Sequence, residues 1–377
     1  ENLFGGFMTM RYCGKCILPN TRPNLEIDCS GNCNCAYSNK NPQTDWELRA
    51  SNFERIVNQV KNSISSYDCV IPVSGGKDST WQVIKALEFG MKPLCVTWRS
   101  PARNVIGQRN LDNLISLGVD HVDVTVNPRV ERLFVLRSFE RFGSPVIPMH
   151  MAIHSIPINL AIKFKIPLVI WGENSAVEYG NFSKKENEKI LTRKWFKNYG
   201  VTNNTEAKDW VSKSFSKNKL SSYFNYKTYS KDRIESESIF LGYFFKWDPQ
   251  KTFKISKKFG FKANSSVKTG YYKFADIDDN FISIHHWLKW YKFGFTRVFD
   301  NLSLEIRNKR ISKSKALKII ESTGVKPPLE DIKKFCNYCN ISKKQFFDFA
   351  EKFRNKKKVR FVPNLFVKIC LINLLVD

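Results

Sequence analysis

Between Cys69 and Trp171 the chain alternates short apolar runs with amphipathic stretches, and few folds accept that order. The runs predict strands at 69–73, 93–98, 121–126 and 167–171. The stretches between them predict helices at 78–89, 105–117, 130–142 and 151–164. Strands covered on both faces read as unbroken apolar runs, and strand–helix alternation builds a parallel sheet. The expected fold class is therefore a doubly wound α/β domain, with ligands gathered outside the carboxyl ends of its strands.

The first strand runs directly into Ser74-Gly75-Gly76-Lys77-Asp78-Ser79 and then a helix. Glycines let the backbone turn several N–H groups toward one anion at the positive end of the helix. Ser74 and Ser79 add hydroxyl donors, Lys77 adds a mobile charge, and Asp78 could hold Mg2+ against phosphates. The loop is shorter than the G-x-x-x-x-G-K-[ST] phosphate loop. Strand–SGGKDS–helix resembles instead the signature of the PP-loop ATP pyrophosphatases, a HUP-like fold. The resemblance implies cleavage of ATP between its α and β phosphates, leaving AMP on a substrate oxygen. It also implies adenine and ribose contacts at Thr97, and a facing loop at Gly172 and Glu173 after the strand at 167–171.

Five of the ten cysteines (Cys13, Cys16, Cys29, Cys33, Cys35) crowd the N-terminal part of the chain. Cys13-x-x-Cys16 with a second group downstream has zinc-knuckle spacing, so a structural Zn2+ is expected. Cys13, Cys16 and Cys33 are the firmest ligands, then Cys35, with Cys29 as the alternative fourth. Cys336-x-x-Cys339 sits on an amphipathic pattern without a second pair and reads as core thiols.

The formal net charge is +26. Lysines spread along the whole chain read as a surface bias that favours an anionic small substrate, and a nucleic-acid partner is not expected. The longest apolar run, Phe366 to Val376, is interrupted by Lys368 and Asn373. It is too short to span a bilayer and reads as a terminal helix at 364–376, so no membrane and a cytoplasmic location are expected.

The domain plan follows from these shifts. Residues 1–10 read as a cloning remnant, 11–44 as a zinc-knuckle segment, and 45–181 as the ATP-binding α/β domain opening with a helix over 45–63. Residues 182–240, rich in Lys, Ser, Asn and Tyr, read as an insertion or lid. Residues 241–377 read as a mainly helical domain that completes the site, with helices at 281–293, 312–322, 328–338 and 342–354.

Beyond the loop, "YCGKCILPNTRPNLEID", "WGENSAVEYG", "LGYFFKWDPQ", "DIDDNFISIHHWLKWYKFGFTRVFD" and "LSLEIRNKRISKSKAL" resemble the N-acetyl sugar amidotransferase family, from about residue 11 to about 355. The resemblance implies conversion of a bacterial sugar's acetamido group to acetamidino, for lipopolysaccharide or flagellin glycans (pseudaminic acid among them). ATP would adenylylate the carbonyl oxygen, and ammonia would displace AMP. The ammonia would come from a separate glutaminase with a cyclase-like partner. Where the family shows a second C-x-x-C, this chain has Cys33-x-Cys35, which leaves the fourth ligand open.

Asp300 and Arg307 resemble an acid and an arginine that approach ATP phosphates in asparagine-synthetase-like relatives, so they join Asp78, Lys77 and Glu173 as candidate catalytic residues. Glu178, Tyr179, His285 and His286 are candidates for the sugar pocket. The adjacent Asp278 and Asp279 either complement a helix dipole or act in the site. The competing class is a tRNA-modifying PP-loop enzyme, thiolating or adding lysine. It would use the basic charge, but thiolation needs exposed cysteines, and Cys69 and Cys95 fall in strands.

Overall fold

The strands form because their residues alternate between two apolar cores. Cys69, Ile71, Cys95, Leu168 and Ile170 enter one core, whereas Val70, Leu94, Val96, Val169 and Trp171 enter the other. The strands at Cys69–Pro72, Pro93–Trp98 and Leu168–Trp171 are thus buried on both faces, as the centre of a parallel sheet requires. The computed structural model describes residues 11–35, 44–179, 189–225 and 236–355.

In chain order the elements are α1 (Trp46–Lys61), β1 (Cys69–Pro72), α2 (Lys77–Glu88), β2 (Pro93–Trp98), α3 (Val105–Ile115), β3 (Asp120–Val124), α4 (Pro128–Phe142) and α5 (Ile147–Lys163). There follow β4 (Leu168–Trp171), α6 (Ser175–Tyr179), α7 (Arg193–Tyr199), β5 (Glu237–Phe240), α8 (Leu241–Phe244) and α9 (Pro249–Lys258). The helical tail is α10 (Ile282–Phe293), α11 (Arg297–Arg307), α12 (Lys313–Thr323), α13 (Leu329–Cys339) and α14 (Lys343–Glu351).

All pairings in the sheet are parallel, in the order β3-β2-β1-β4-β5. The chain runs outward from β1 through β2 to β3, then crosses back to β4 on the other side of β1. That reversal places the crevice at the carboxyl ends of β1 and β4. The expected doubly wound sheet is therefore present, with a fifth strand. β5 corrects the reading of 182–240 as wholly insertion or lid, because its last residues pair with β4. A four-residue strand after a polar stretch gives little periodicity to read. The helices α9 and α11 were also missing from the sequence-based expectation.

The helices α10, α13 and α14 pack through aromatic clusters, such as Phe139, Phe335 and Phe346, against α4. No helix among the described residues is long and apolar enough to cross a membrane. The expected helix at 364–376 lies outside the described residues.

Candidate functional site

Gly75 adopts φ +82°, and a Cβ there would meet the Leu111 backbone nitrogen of α3 at 2.4 Å. Only glycine fits both the left-handed turn and that approach. Gly76 is the N-cap of α2 and offers no side-chain cap, so the first-turn N–H groups face the crevice without an internal acceptor. Ser79 and Thr80 hydroxyls both donate to Gly76 O at 3.0 Å, and Ser74 Oγ accepts from Gly76 N at 3.4 Å. These bonds fix the loop in a shape that can receive an anion.

It opens into a cavity of about 440 Å³ at the switch point. Lys77, Asp78, Ser79, Thr97, Gly172 and Glu173 all line it, so the loop, the β2 end and the β4 end expected from sequence do converge. The Thr97 hydroxyl is occupied inside the sheet, donating to Val73 O at 2.7 Å and lying 2.8 Å from His121 Nε2. Only its backbone is left to meet a ligand. Asp78 Oδ1 accepts from Trp247 Nε1 (2.9 Å) and Thr252 Oγ1 (3.1 Å), while Lys77 Nζ pairs with its other oxygen. Ser256 Oγ donates to Lys77 O at 2.6 Å. The α8–α9 region thus fixes the first turn of α2.

Glu173 has its carboxyl lifted to about 7 by burial and by the Asp78 charge, with Lys77 opposing. A carboxyl poised there can exchange a proton near neutrality. Across the cavity, the segment 276–279 is bound to α3. Asn104 Nδ2 donates to Ile277 O at 2.7 Å, and the absent Cβ of Gly107 leaves room for Asp278 O. Asp278 is lifted to about 6 by burial and by Asp279, against a hydrogen bond from Ser74. Asp279 accepts from Ser100 and caps α10 through the Phe281 and Ile282 N–H groups at 2.6 and 3.2 Å. Asp279 thus binds the first turn of α10, and Asp278 faces the loop at Ser74.

The remaining wall was not foreseen. Asp276, at φ +57°, and Arg297 line the cavity and pair at 3.3 Å. Burial raises the Asp276 carboxyl, but Arg297 and His286 outweigh it and hold it well below the usual range. Arg103 lines the wall while bound through two nitrogens to Asp123 (2.7 and 2.9 Å). Trp98 Nε1 donates to the buried Glu131 at 2.8 Å. The Trp-Asp-Pro turn carried the one available signal: Asp248 caps α9 with Pro249 at its start, which puts Trp247 beside the loop.

Asp300 and Arg307 are corrections to the sequence expectation, since neither lines the cavity. Asp300 is fully buried between Arg22, Lys289 (2.7 Å) and Arg297 (3.6 Å). Burial raises its carboxyl, but these cations outweigh that effect and keep it ionised. Arg307 donates to the carbonyls of Glu178 and Cys35 and so ties α6 to the cysteine segment. Of the sugar-pocket candidates, Tyr179 lines the cavity, whereas Glu178 turns to Arg307 at 3.8 Å. His285 and His286 stand behind the wall, with His286 Nε2 3.4 Å from Asp276. The histidine facing the cavity is His154, stacked 5.1 Å from Trp171.

Cys13, Cys16 and Cys33 are buried, with sulfurs within 4.8 Å of one another, and could hold a metal ion. Cys13 Sγ accepts the N–H groups of Cys33 (3.1 Å) and Lys15 (3.4 Å), which stabilise thiolate charge. Cys35 is buried beside them, while Cys29 is exposed and outside the cluster. The arrangement is compatible with an N-terminal zinc knuckle.

Residues 266–362 match the family described as LPS biosynthesis protein WbpG-like, C-terminal domain. This span includes the wall segment 276–279 and Arg297. Among solved structures, an NH3-dependent NAD synthetase from Campylobacter jejuni subsp. jejuni NCTC 11168, in complex with the nitrate ion, is 20% identical. Its TM-score is 0.29, and the match covers 36% of this chain and 62% of that one. An NMN synthetase from Francisella tularensis is 12% identical with a TM-score of 0.34, covering 85% of this chain and all (100%) of that one. Comparison with curated proteins finds no match.

Proposed function

We propose that the chain is an ATP-dependent amidotransferase that converts the acetamido group of an anionic bacterial sugar to acetamidino. The observation that carries this reading is the junction in one cavity of two parts. One is an anion cradle at the α2 N-terminus; the other is a wall from the segment that matches an LPS-biosynthesis family.

In this reading the cradle and Lys77 take the ATP phosphates, and the β2 end at Thr97 takes the nucleoside. The acetamido oxygen attacks the α-phosphorus, the bond to the β-phosphate oxygen breaks, and pyrophosphate leaves. An uncharged amide is a poor electrophile, and its oxygen now departs as AMP. Ammonia adds to the imidate carbon, one of its protons passes to Glu173, and the C–O bond to AMP breaks to leave the amidine. Preorganised N–H donors at the cradle stabilise the charge that develops on the phosphates.

Asp78 is a carboxylate on the cavity wall beside the cradle, which suits the oxygen preference of Mg2+. It would hold the ion, which would supply charge neutralisation, and Glu173 is left free to accept a proton. Cys13, Cys16 and Cys33, with Cys35 as the fourth ligand, would hold a structural Zn2+. Ammonia is supplied by a separate glutaminase with a cyclase-like partner. A thiolating role is disfavoured because Cys69 and Cys95 are buried in the sheet, and burial pushes Cys95 up to about 12. The test is incubation with ATP, Mg2+, ammonium and acetamido sugars, followed by mass spectrometry for NH in place of the amide oxygen. Pyrophosphate release elicited only by tRNA overturns the reading.

A further inference from the structure

We propose that Arg22, in the cysteine-bearing segment, is a positioning residue for the cavity wall formed by Tyr179 and Arg297. This rests on the reading above, in which that cavity takes ATP and a second substrate.

Arg22 lies far from the cavity-lining residues in sequence, yet its guanidinium reaches their supports directly. Its Nε donates to Tyr179 O at 2.6 Å, and its Nη1 pairs with Asp300. The guanidinium also lies 5.6 Å from the centroid of the Tyr179 ring and 5.5 Å from that of Phe295. Arg297 lies 5.4 Å from the same Tyr179 ring and 3.6 Å from the same Asp300. Two guanidiniums therefore share one ring and one carboxylate, and one of the two lines the cavity.

The local structure gives Arg22 something to hold. α6 is only five residues long, and a helix of that length does not sustain itself. Its terminal carbonyls need outside donors, which Arg22 supplies at Tyr179 and Arg307 at Glu178. Without Arg22, the end of α6 loses its anchor, and Asp300 keeps only Lys289 and Arg297. Tyr179 and Arg297 then keep only their own ring contact, without the Arg22 bridge between the Tyr179 carbonyl and Asp300. The phosphate loop is secured separately by Trp247, Thr252 and Ser256, so the effect falls on the second substrate.

The test uses the full chain with Arg22→Met, Arg22→Lys and, as a control, Asn24→Gly. The control removes another contact of the same segment, Asn24 Nδ2 to Asn198 O at 3.0 Å, which does not reach the cavity. Three quantities are read: Mg-ATP affinity by calorimetry, steady-state constants for acetamido sugars, and hydrogen exchange across 172–179. Arg22→Met is expected to leave ATP affinity within about twofold while raising the sugar KM by about tenfold or more. It should also speed exchange across 172–179, with partial recovery in Arg22→Lys and no change in Asn24→Gly. An unchanged sugar KM, or an equal loss of ATP affinity, overturns the proposal. If no acetamido sugar is turned over, the functional reading fails, and exchange alone then decides the role of Arg22. Faster exchange in Arg22→Met but not in Asn24→Gly supports it; equal exchange rejects it. Should Arg22→Met fail to fold, Arg22→Lys against Asn24→Gly gives the same decision.

Discussion

The indole of Trp247 donates to Asp78 Oδ1 over 2.9 Å, joining the chain beyond the sheet to the first turn of the phosphate-loop helix. Asp78 is thereby oriented before any ligand arrives, and its second oxygen is left to Lys77. Asp78→Asn is expected to lower pyrophosphate release by at least about a hundredfold, the usual cost of removing an electrostatic group from such a site. Trp247→Phe keeps the ring but loses the donor. It should cost about tenfold in rate, with little change in the unfolding temperature, as for one charge-assisted hydrogen bond. Pyrophosphate assays and thermal melts of both variants check this.

Glu173 gives the account its pH dependence. Its folded carboxyl lies at about 7, above its ordinary value, so the folded state binds the extra proton between those values. The stability it contributes is complete below the unfolded pKa and is lost as pH rises through about 7. The acceptance of a proton from ammonia needs the ionised form, so activity should rise through the same window. Glu173→Gln is therefore expected to be more stable than wild type at pH 8, by on the order of 3 kcal/mol and with a higher unfolding temperature, while losing most turnover. Melting curves at pH 5 and pH 8 measure the first effect, and a pH–rate profile measures the second.

Asp300 should behave as a structural anion. Removing one charge from a buried cluster leaves its partners uncompensated, at a cost of about 3–5 kcal/mol. Asp300→Asn is expected to lower the unfolding temperature sharply, in contrast to Asp78→Asn, which acts on rate. A melting curve like that of wild type, together with lost turnover, would return Asp300 to the chemistry.

The cysteine cluster makes a stoichiometric prediction. Metal analysis should find near one zinc per chain in the wild type and in Cys29→Ser, whose sulfur is exposed and outside the cluster. Cys16→Ser should lose the metal. Wild-type protein without near-stoichiometric zinc would remove the metal from the account.

Much of the sheet was legible because Cys69–Pro72, Pro93–Trp98 and Leu168–Trp171 are buried on both faces and so read as apolar runs. The tight turn after β1 was legible because Gly75 meets two constraints that no other residue satisfies. The opposite wall was not. Asp276 and Arg297 are polar residues placed by an ion pair and a left-handed backbone, neither of which leaves a periodic trace. The contact of Arg22 with Asp300 spans 278 residues of sequence, and local pattern carries nothing about it. Asp300 and Arg307 looked like site residues because their helix begins at the cavity with Arg297 and Asn301, but their side chains turn toward the cysteine segment.

The most direct measurement follows one oxygen atom. An acetamido sugar carrying heavy oxygen in its amide carbonyl is incubated with the protein, ATP, Mg2+ and ammonium. The account predicts that the label leaves the sugar and appears in the phosphate of AMP, with one AMP and one pyrophosphate formed per amidine. Label retained in the sugar while ATP is consumed, or found in water rather than AMP, would contradict it.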